Sequence, residues 1–332
     1  MCGLLGVFGD HSFSKNRIES SIRLQANRGP DIQSVIEYEC CTLAHARLSI
    51  VDLSSNAVQP MSTSCGSKSI IFNGEIYNYN ELKRDLTSDS NIIFNSTSDT
   101  EVLLNYLSKF GISKTLDRIE GMYSFAFFDH TNNDLFVARD RMGEKPLYYS
   151  INDNFLIVSS SLFSISYLIE EYSFDTQSIS DYLHYGYTKG DRTPISQIKK
   201  LPVSSFIKYN TKTKNFSINS VSSKSNSNVP ITNDKDKLRS IIEKSVEYTL
   251  EADVNVGTFL SGGIDSSLVT CIAKKYSPNL KTFSVGFVDK NYDESAFAKS
   301  IADYIGTDHK QITLSNHDLM QIIFCFLRDM LK

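Results

Sequence analysis

Met1-Cys2-Gly3-Leu4-Leu5-Gly6-Val7-Phe8 opens the chain and decides how its first domain is interpreted. The apolar run that ends at Phe8 has the length and composition of a buried strand. Removal of Met1 would leave a thiol and a free α-amine together on Cys2. An α-amine has a pKa of about 8 and can therefore act as a base for a neighbouring nucleophile. The stretch predicts a strand with a catalytic cysteine at its start, and the alternative is a cysteine without function.

Outward from this stretch, the first 210 residues consist of short apolar runs separated by turns. Further strands are predicted over 69–72, 124–128, 135–138 and 155–159, and helices over 17–27 and 100–110. Strands with interspersed helices favour a layered α+β domain. Residues 211–235 are rich in Ser, Asn and Lys and predict a linker or loop.

Beyond this segment, residues 236–332 alternate between helical and strand patterns. Three strands are predicted, over 254–260, 282–287 and 311–314, with Phe283, Val285 and Phe287 pointing inward. Such alternation is typical of a parallel α/β sheet.

Leu260-Ser261-Gly262-Gly263-Ile264-Asp265-Ser266-Ser267 stands where one of these strands passes into a helix. Glycines and a helix N-terminus present backbone N–H groups to an anion, which favours a nucleotide phosphate. Asp265 is a candidate Mg²⁺ ligand. Gly263 stands where a Walker A loop needs Lys, so that class of NTPase is disfavoured. The alternative is a structural glycine turn with a serine cap.

The composition of the chain excludes several classes of protein. A net charge of −4 gives no sign of a nucleic-acid surface. The six cysteines form no C-x-x-C pair, and no apolar run is long enough to span a membrane. With no signal peptide visible, we expect a cytoplasmic protein with reduced thiols and no nucleic-acid or membrane partner.

Several motifs, taken in order, resemble those of glutamine-dependent asparagine synthetases. The first-domain motifs are Met1-Cys2-Gly3, Arg28-Gly29-Pro30-Asp31, His45-Ala46-Arg47-Leu48-Ser49-Ile50-Val51-Asp52, Phe72-Asn73-Gly74-Glu75-Ile76-Tyr77-Asn78, Ser98-Asp99-Thr100-Glu101, Gly121-Met122-Tyr123-Ser124-Phe125-Ala126 and Ala138-Arg139-Asp140-Arg141, continuing through Tyr149. They are similar to class II glutamine amidotransferases, whose fold is an N-terminal-nucleophile αββα sandwich. The loop at 260–267 resembles the S-G-G-x-D-S signature of PP-loop ATP pyrophosphatases.

The resemblance implies a domain plan and a reaction. Residues 2–210 would form the glutaminase domain, and residues 236–332 part of an ATP-binding synthetase domain. The reaction would use glutamine, aspartate and ATP, with Mg²⁺, and yield asparagine, glutamate, AMP and pyrophosphate. A homodimer is also suggested by the family.

The same resemblance assigns roles to individual residues. Cys2 would attack the glutamine amide, with Asn73 and Gly74 forming the oxyanion hole. Arg47 would bind the glutamine α-carboxylate, and Glu75 and Asp99 would bind the α-ammonium. The pocket would be lined by the backbone of Leu48, Ser49, Ile50 and Val51. ATP and pyrophosphate would contact Leu260, Ser261, Gly262, Gly263, Asp265, Ser266, Ser267 and Val285. Considered singly, Asn73-Gly74 is also a hairpin-turn signal, Arg47 a possible surface cation and Asp99 a possible helix cap.

The chain departs from the family near Lys332, where a second acidic loop and a downstream lysine would be expected to follow. We therefore expect a fragment with intact glutaminase chemistry and weak or absent synthesis. Two alternatives stay open at this point. One is an amidotransferase for another carboxylate, such as a surface-polysaccharide sugar acid, and the other is a non-catalytic, truncated glutamine-binding or interaction protein.

Overall fold

The computed structural model of the protein describes residues 1–88, 92–221 and 234–330, with side chains described as far as Phe324. The chain divides between Asn228 and Val229 into two units, each with its own core. In the described part of the chain, no helix combines the length and the apolar character needed to cross a bilayer.

Two six-stranded antiparallel sheets form the centre of the first unit. Its strands are β1 (Gly3–Gly9), β2 (Ile32–Glu37), β3 (Cys41–Arg47), β4 (Met61–Ser62), β5 (Lys68–Ile76), β6 (Gly121–Asp129), β7 (Asp134–Arg139), β8 (Tyr148–Ile151), β9 (Phe155–Ser159), β10 (Lys199–Lys200), β11 (Ser205–Asn210) and β12 (Phe216–Ser220). Sheet A has the order β10-β8-β9-β1-β3-β2, and sheet B the order β12-β11-β7-β6-β5-β4. The central strand of sheet A, β1, is buried along its whole length.

Helices α1 (Lys15–Arg23) and α4 (Leu162–Leu168) cover the outer face of sheet A, and α2 (Tyr79–Ser88) and α3 (Asp99–Arg118) cover that of sheet B. Helix α5 (Thr176–Tyr185) follows α4 in the chain and is mostly exposed. Alternate side chains of β1 enter two different cores, as expected for a strand buried on both faces. Leu4 and Phe8 pack against Phe128 of sheet B, whereas Leu5 and Val7 pack against α1 and α4.

The other face of sheet B packs against α2 and α3, where Leu82 and Leu103 meet Phe72 and Phe125. The layers are therefore helix, sheet, sheet and helix, which confirms the αββα sandwich predicted for the first domain. This arrangement places the start of β1 at one end of the space between the sheets.

Sheet B also includes part of the segment predicted to be a linker. Residues 216–220 form β12, which pairs with β11 from Ser205↔Ser220 to Tyr209↔Phe216. The prediction of a linker or loop is wrong for these residues, because an edge strand with an exposed face does not need large apolar side chains. The rest of the predicted linker includes 222–233, which lie outside the described residues.

A three-stranded parallel sheet forms the centre of the second unit, in the order β13-β14-β15. Its elements are α6 (Lys235–Tyr248), β13 (Gly257–Phe259), α7 (Ile264–Tyr276), β14 (Lys281–Phe287), α8 (Ser295–Ile305), β15 (Asp308–Leu314) and α9 (Asn316–Met330). Helix α6 packs against α7 through Val246 and Ile272, and Leu260 packs against α8. The parallel α/β arrangement predicted from the alternating pattern is confirmed.

Candidate active sites

Cys2 immediately precedes β1, and its thiol lies at the loop that follows β3. The backbone N–H of Leu48 donates to Cys2 Sγ over 3.4 Å, and the thiol donates to the Leu48 carbonyl over 3.6 Å. The Cys2 carbonyl accepts a hydrogen bond from Arg28 Nε at 3.1 Å. Both ends of Cys2 are thus held, and its half-buried thiol lines a pocket.

Burial shifts the pKa values of the Cys2 thiol and of the N-terminal amine in opposite directions. Desolvation raises the pKa of the Cys2 thiol, although the contact with Leu48 and the nearby N-terminus oppose it. Desolvation lowers the pKa of the N-terminal α-amine, which in the unprocessed chain belongs to Met1. Burial disfavours the charged form of each group, so the two shifts favour the thiol over the thiolate and the neutral amine over the ammonium.

Asn73 and Gly74 lie in the middle of β5, opposite Ser124 and Tyr123 of β6. The hairpin-turn alternative for this dipeptide is therefore wrong. A Cβ on Gly74 would come within 2.1 Å of the Met122 carbonyl oxygen. Glycine is required there by the close approach of the two strands rather than by a turn.

The Asn73 amide is buried and only partly hydrogen-bonded. Its Nδ2 lies 3.5 Å from Ser124 Oγ and 3.4 Å from Ser160 Oγ, while Oδ1 has no partner. Both neighbours are hydroxyls that can donate as well as accept. Rotating the amide by half a turn would let Oδ1 accept from them and would turn Nδ2 to the present position of Oδ1.

Arg47 ends β3 and is 4% exposed, so the surface-cation alternative is wrong. Its guanidinium donates to the Ser54 carbonyl at 2.9 Å and to the Asp52 carbonyl. A guanidinium carries five N–H donors, so these two bonds leave others for a ligand. Arg47 therefore both lines the pocket and ties down the loop 48–54.

The Asp52 carboxylate fixes the same loop, a role that the sequence did not suggest. It accepts from the backbone N–H of Ser54 at 2.9 Å and of Thr97 at 2.7 Å. Desolvation raises its pKa, but these hydrogen bonds outweigh that effect and lower the pKa to about 2. Asp52 consequently joins the loop after β3 to the segment before α3.

The Arg28-Gly29-Pro30-Asp31 motif frames Cys2 from the other side. Asp31 Oδ2 accepts from the Ser49 backbone N–H at 2.7 Å. A Cβ on Gly29 would lie 2.1 Å from the backbone of Ala46. The motif thus packs directly against the end of β3 and holds the residues that follow it.

Two carboxylates enter the pocket from different elements. Asp99 is the first residue of α3, and its Oδ2 accepts from the Ile76 backbone N–H at 2.9 Å. The cap itself is Ser98, whose hydroxyl accepts from the Glu101 N–H, so the alternative of Asp99 as the capping residue is wrong. Burial, followed by the charge of Glu75, raises the pKa of Asp99 to about 6. Burial also raises the pKa of Glu75 itself.

The pocket brings together nearly all the residues predicted to handle glutamine. Those that line it are Cys2, Arg47, Leu48, Ile50, Val51, Asn73, Gly74, Glu75 and Asp99. Ser49 does not line the pocket. The other lining residues, to which the sequence assigned no role in glutamine binding, are Met1, Ala57, Gln59, Phe72, Ser98, Thr100, Met122 and Lys145.

Replacing Asp99 by Asn tests the charge of this pocket. Glutamine binding should weaken in the unchanged protein as pH falls through about 6, because protonation removes the Asp99 charge. Between pH 3.8 and about 6, the Asp99 carboxyl is protonated in the folded protein but ionised in the unfolded chain. Ionising Asp99 in the folded protein therefore lowers the stability at any pH above about 6. Asp99→Asn should raise the free energy of unfolding at pH 7 by about 1–3 kcal/mol and abolish the pH transition in KM.

The measurements are KM for glutamine from pH 5 to 8 and urea unfolding at pH 7. Asp117→Asn on the exposed side of α3 is the control and should change neither quantity. A KM transition near pH 6 that persists in Asp99→Asn would contradict the assignment.

In the second unit, residues 260–263 connect β13 to α7, and residues 264–267 form the first turn of α7. Helix α7 begins after Gly263 without a side-chain cap. Ser261 Oγ lies 3.0 Å from Ser266 Oγ, and Ser267 Oγ is buried without a partner. Backbone N–H groups at such a helix start attract anions.

Gly262 brings this loop against α8. Its φ is +86°, and a Cβ there would lie 2.7 Å from Phe297 Cβ and 2.8 Å from the Ala298 backbone nitrogen. A left-handed φ and the absence of a side chain are both required at this position.

A cleft opens beside this loop. Leu260, Ser261, Ser266 and Val285 line it, whereas Gly262, Gly263, Asp265 and Ser267 do not. Residues that the sequence did not assign to it are Phe259, Phe283, Ser284, Phe287, Tyr292, Glu294, Ser295 and Ala298. Its walls are therefore largely apolar and aromatic.

Of the three residues predicted to point inward, Phe287 is half-buried and lines the cleft, and the prediction is wrong for Phe283 and Val285. Both are exposed and line the cleft, whereas Thr282 and Ser284 are buried. The buried hydroxyls have partners, since Thr282 Oγ1 lies 2.9 Å from His309 Nδ1 and Ser284 Oγ lies 3.1 Å from His309 Nε2. A hydrogen-bonded polar face can be buried at little cost, and alternation alone does not identify the inner face.

No described group of three His, Cys, Asp or Glu side chains is arranged to hold a metal ion by itself. Asp265 stands exposed in the first turn of α7. Mg²⁺ at nucleotide sites is commonly held by one or two carboxylates together with phosphate oxygens. The single carboxylate fits that kind of shared site.

Comparison with known families agrees with this division of the chain. The model described as glutamine amidotransferase domain matches residues 1–219, and the model described as asparagine synthase matches residues 237–330. The first match alone covers more than half of the chain.

Among curated proteins, the chain is similar to asparagine synthetase [glutamine-hydrolyzing] 1 of Bacillus subtilis (strain 168), with 33% identity over 96% of this chain and 51% of that protein. It is also similar to asparagine synthetase [glutamine-hydrolyzing] 2 of Oryza sativa subsp. japonica, with 33% identity over 94% of this chain and 49% of that protein. The chain thus spans about half the length of these two relatives.

Among solved structures, one described as the allosteric regulatory enzyme of purine biosynthesis covers 95% of this chain and 80% of its own, with a TM-score of 0.50 and 14% identity. That likeness concerns the fold alone. The family matches carry the assignment: this chain belongs to the glutamine amidotransferase domain family, and its residues 237–330 are similar to the asparagine synthase model.

Proposed function

We propose that residues 2–210 hydrolyse glutamine at Cys2 and that residues 236–332 belong to the ATP-dependent part of a glutamine-hydrolysing asparagine synthetase. The observation that carries the proposal is the convergence of the half-buried Cys2 thiol, a cation and two carboxylates on one pocket beside the N-terminus. Each is a group that the hydrolysis of a zwitterionic amide substrate requires.

Glutamine binding follows from the charges of the pocket. The free N–H donors of Arg47 would receive the α-carboxylate, for which a planar guanidinium is suited. Glu75 and Asp99 would receive the α-ammonium. Loop residues 48, 50 and 51 would close the pocket around the side chain. A zwitterion of no net charge is thereby matched at both ends.

The chemistry begins with proton transfer. Removal of Met1 gives Cys2 a free amine, and its neutral form takes the thiol proton as Sγ attacks the amide carbon of glutamine. Because burial raises the thiol pKa, a base that takes the thiol proton assists the attack. The amine then returns the proton to the leaving nitrogen, the C–N bond breaks, and ammonia leaves a γ-glutamyl thioester.

Asn73 and Gly74 would stabilise the oxyanion that forms on the amide oxygen. In the rotated amide orientation, Asn73 Nδ2 and the Gly74 N–H are the two donors. A single oxyanion-hole donor is worth roughly 3 kcal/mol. Water then attacks the thioester carbonyl, and glutamate leaves with Cys2 restored as a thiol.

The second unit would use the ammonia. The aromatic and apolar cleft beside Val285 suits an adenine ring, and the uncapped start of α7 suits the phosphates of ATP. Asp265 would share Mg²⁺ with those phosphates. Adenylation of aspartate would release pyrophosphate, and ammonia would displace AMP to give asparagine.

Two assays test this proposal in sequence. Purified protein with a processed N-terminus should release ammonia and glutamate from glutamine in equal amounts. Pyrophosphate release with ATP should then be compared for aspartate and a panel of other carboxylic acids. No ammonia from glutamine would refute the glutaminase assignment, and pyrophosphate release with another acid but not aspartate would refute the acceptor.

A further inference from the structure

The loop between β7 and β8 is held rigidly from both sides. The Asp140 carboxylate accepts from the backbone N–H groups of Met142 at 3.1 Å, Glu144 at 2.9 Å and Lys145 at 3.0 Å. Arg139 donates to the carbonyls of Gly143 and Lys145, each at 2.9 Å. These bonds determine where the side chain of Lys145 begins.

Lys145 extends from this loop into the pocket of Cys2 and is 4% exposed. A buried ammonium is costly unless an anion lies near it. Glu75 lines the same pocket, and its negative charge favours the protonated form of Lys145. The assigned catalytic steps and the glutamine contacts leave this cation without a role.

We propose that Lys145 is a positioning residue of the Cys2 pocket, an ammonium that holds Glu75 as a carboxylate and keeps positive charge beside the thiol and the α-amine. This inference rests on the proposed glutaminase function and deepens it. The proposal rests on the position of these three residues: Lys145 from the loop between β7 and β8, Glu75 from β5 and Cys2 before β1 all line one pocket.

The direction in which Lys145 shifts the pKa values around it follows from the charges of the neighbouring groups. The charged and titratable groups that act on Lys145 are Glu75, Glu144, Arg28 and Cys2. Lys145 lowers the pKa of the N-terminal amine and the pKa of Glu75. Burial lowers the pKa of Lys145 itself, while Glu75 opposes that shift. Loss of Lys145 should therefore raise the pKa values of the amine and of Glu75. Because the interaction between Lys145 and Cys2 is mutual, it should also raise the pKa of the thiol.

The test replaces Lys145 by Met, Gln or Arg in a Cys65→Ala background. That background removes an exposed thiol whose pKa is lowered to about 7 by Ser67 and Thr63. Arg141→Met is the control, because it removes an equal charge from an exposed position in the same loop. Each variant is checked by circular dichroism and thermal unfolding, and Gln carries the test where Met fails to fold.

Two pH profiles are measured. The first is the alkylation rate of Cys2 by iodoacetamide, followed by mass spectrometry of the N-terminal peptide. The second is kcat/KM for glutamine hydrolysis. Lys145→Met or Gln should move both midpoints up by about half a unit to one unit and lower kcat/KM at pH 7 by about tenfold. Lys145→Arg and Arg141→Met should leave the midpoints in place.

The outcomes separate this inference from the function on which it rests. An alkylation midpoint that moves only when the charge at 145 is lost supports the role of Lys145, even in a protein that fails to hydrolyse glutamine. Unshifted profiles in a folded Lys145→Gln overturn the inference and leave the glutaminase assignment intact. Equal losses in Arg and Gln without a shift show a merely structural lysine and also overturn it.

Discussion

Cys2→Ala should abolish ammonia release from glutamine, lowering kcat by at least about 10³-fold. The thiol lines the pocket, contacts the backbone of the loop after β3 and lies beside the N-terminal amine. Alanine removes only the sulfur and leaves the Cys2 carbonyl bonded to Arg28, so the fold should persist. The loss would therefore report on chemistry rather than on stability.

Cys65→Ala is the matched control for this variant. Cys65 is exposed, and hydrogen bonds from Ser67 and Thr63 lower its pKa to about 7, which makes it a reactive thiol outside the pocket. It should retain full glutaminase activity. The measurement is coupled detection of ammonia and glutamate after removal of Met1 has been verified by mass spectrometry. Activity that survives in Cys2→Ala but disappears in Cys65→Ala would reverse the assignment.

Gly262→Ala should disable the second unit, whereas Gly263→Ala should leave it folded. A Cβ at 262 meets Phe297 and Ala298 at 2.7–2.8 Å, and the φ of +86° is strained for alanine. These two effects together cost about 2–5 kcal/mol. Gly263 has a φ of −69°, and its Cβ would contact only Ser261 Oγ at 3.5 Å.

The measurement is thermal unfolding of each variant with and without ATP. Gly262→Ala should lower the transition of the second unit and remove any stabilisation by ATP, because the loop can no longer pack against α8. Gly263→Ala should unfold near the temperature of the unchanged protein in the absence of nucleotide. Equal behaviour of the two variants would contradict the close packing of Gly262.

Much of the fold could be predicted because its strands are apolar and its turns are marked. The run from Leu4 to Phe8 is buried on both faces, and a continuous apolar run of this kind can be recognised from the sequence alone. The strand Phe216–Ser220 was missed because an exposed edge strand carries polar residues like those of a loop. The inner face of β14 was assigned wrongly because His309 lies far along the chain from the hydroxyls that it bonds.

The candidate glutamine pocket was predicted from motifs, but the motifs said little about its electrostatics. Asp52 and Lys145 both stand within recognised motifs and gained roles only from their contacts. Asn73-Gly74 could equally have been a turn. The opposing β6 backbone, 2.1 Å from a Gly74 Cβ, excludes that alternative.

By itself, the sequence determined which chemical groups are present: a cysteine at position 2, a glycine-rich loop before a helix, and the apolar periods that build two sheets and a smaller one. Those are local properties of neighbouring residues. Only the tertiary structure decided that β3, β5, α3 and the loop 140–145 deliver their side chains to one pocket beside Cys2. The same burial raises the pKa of the thiol and of Asp99 and lowers that of the amine. Desolvation depends on everything that packs around a group, and so it cannot be read from the residues adjacent to it in the chain.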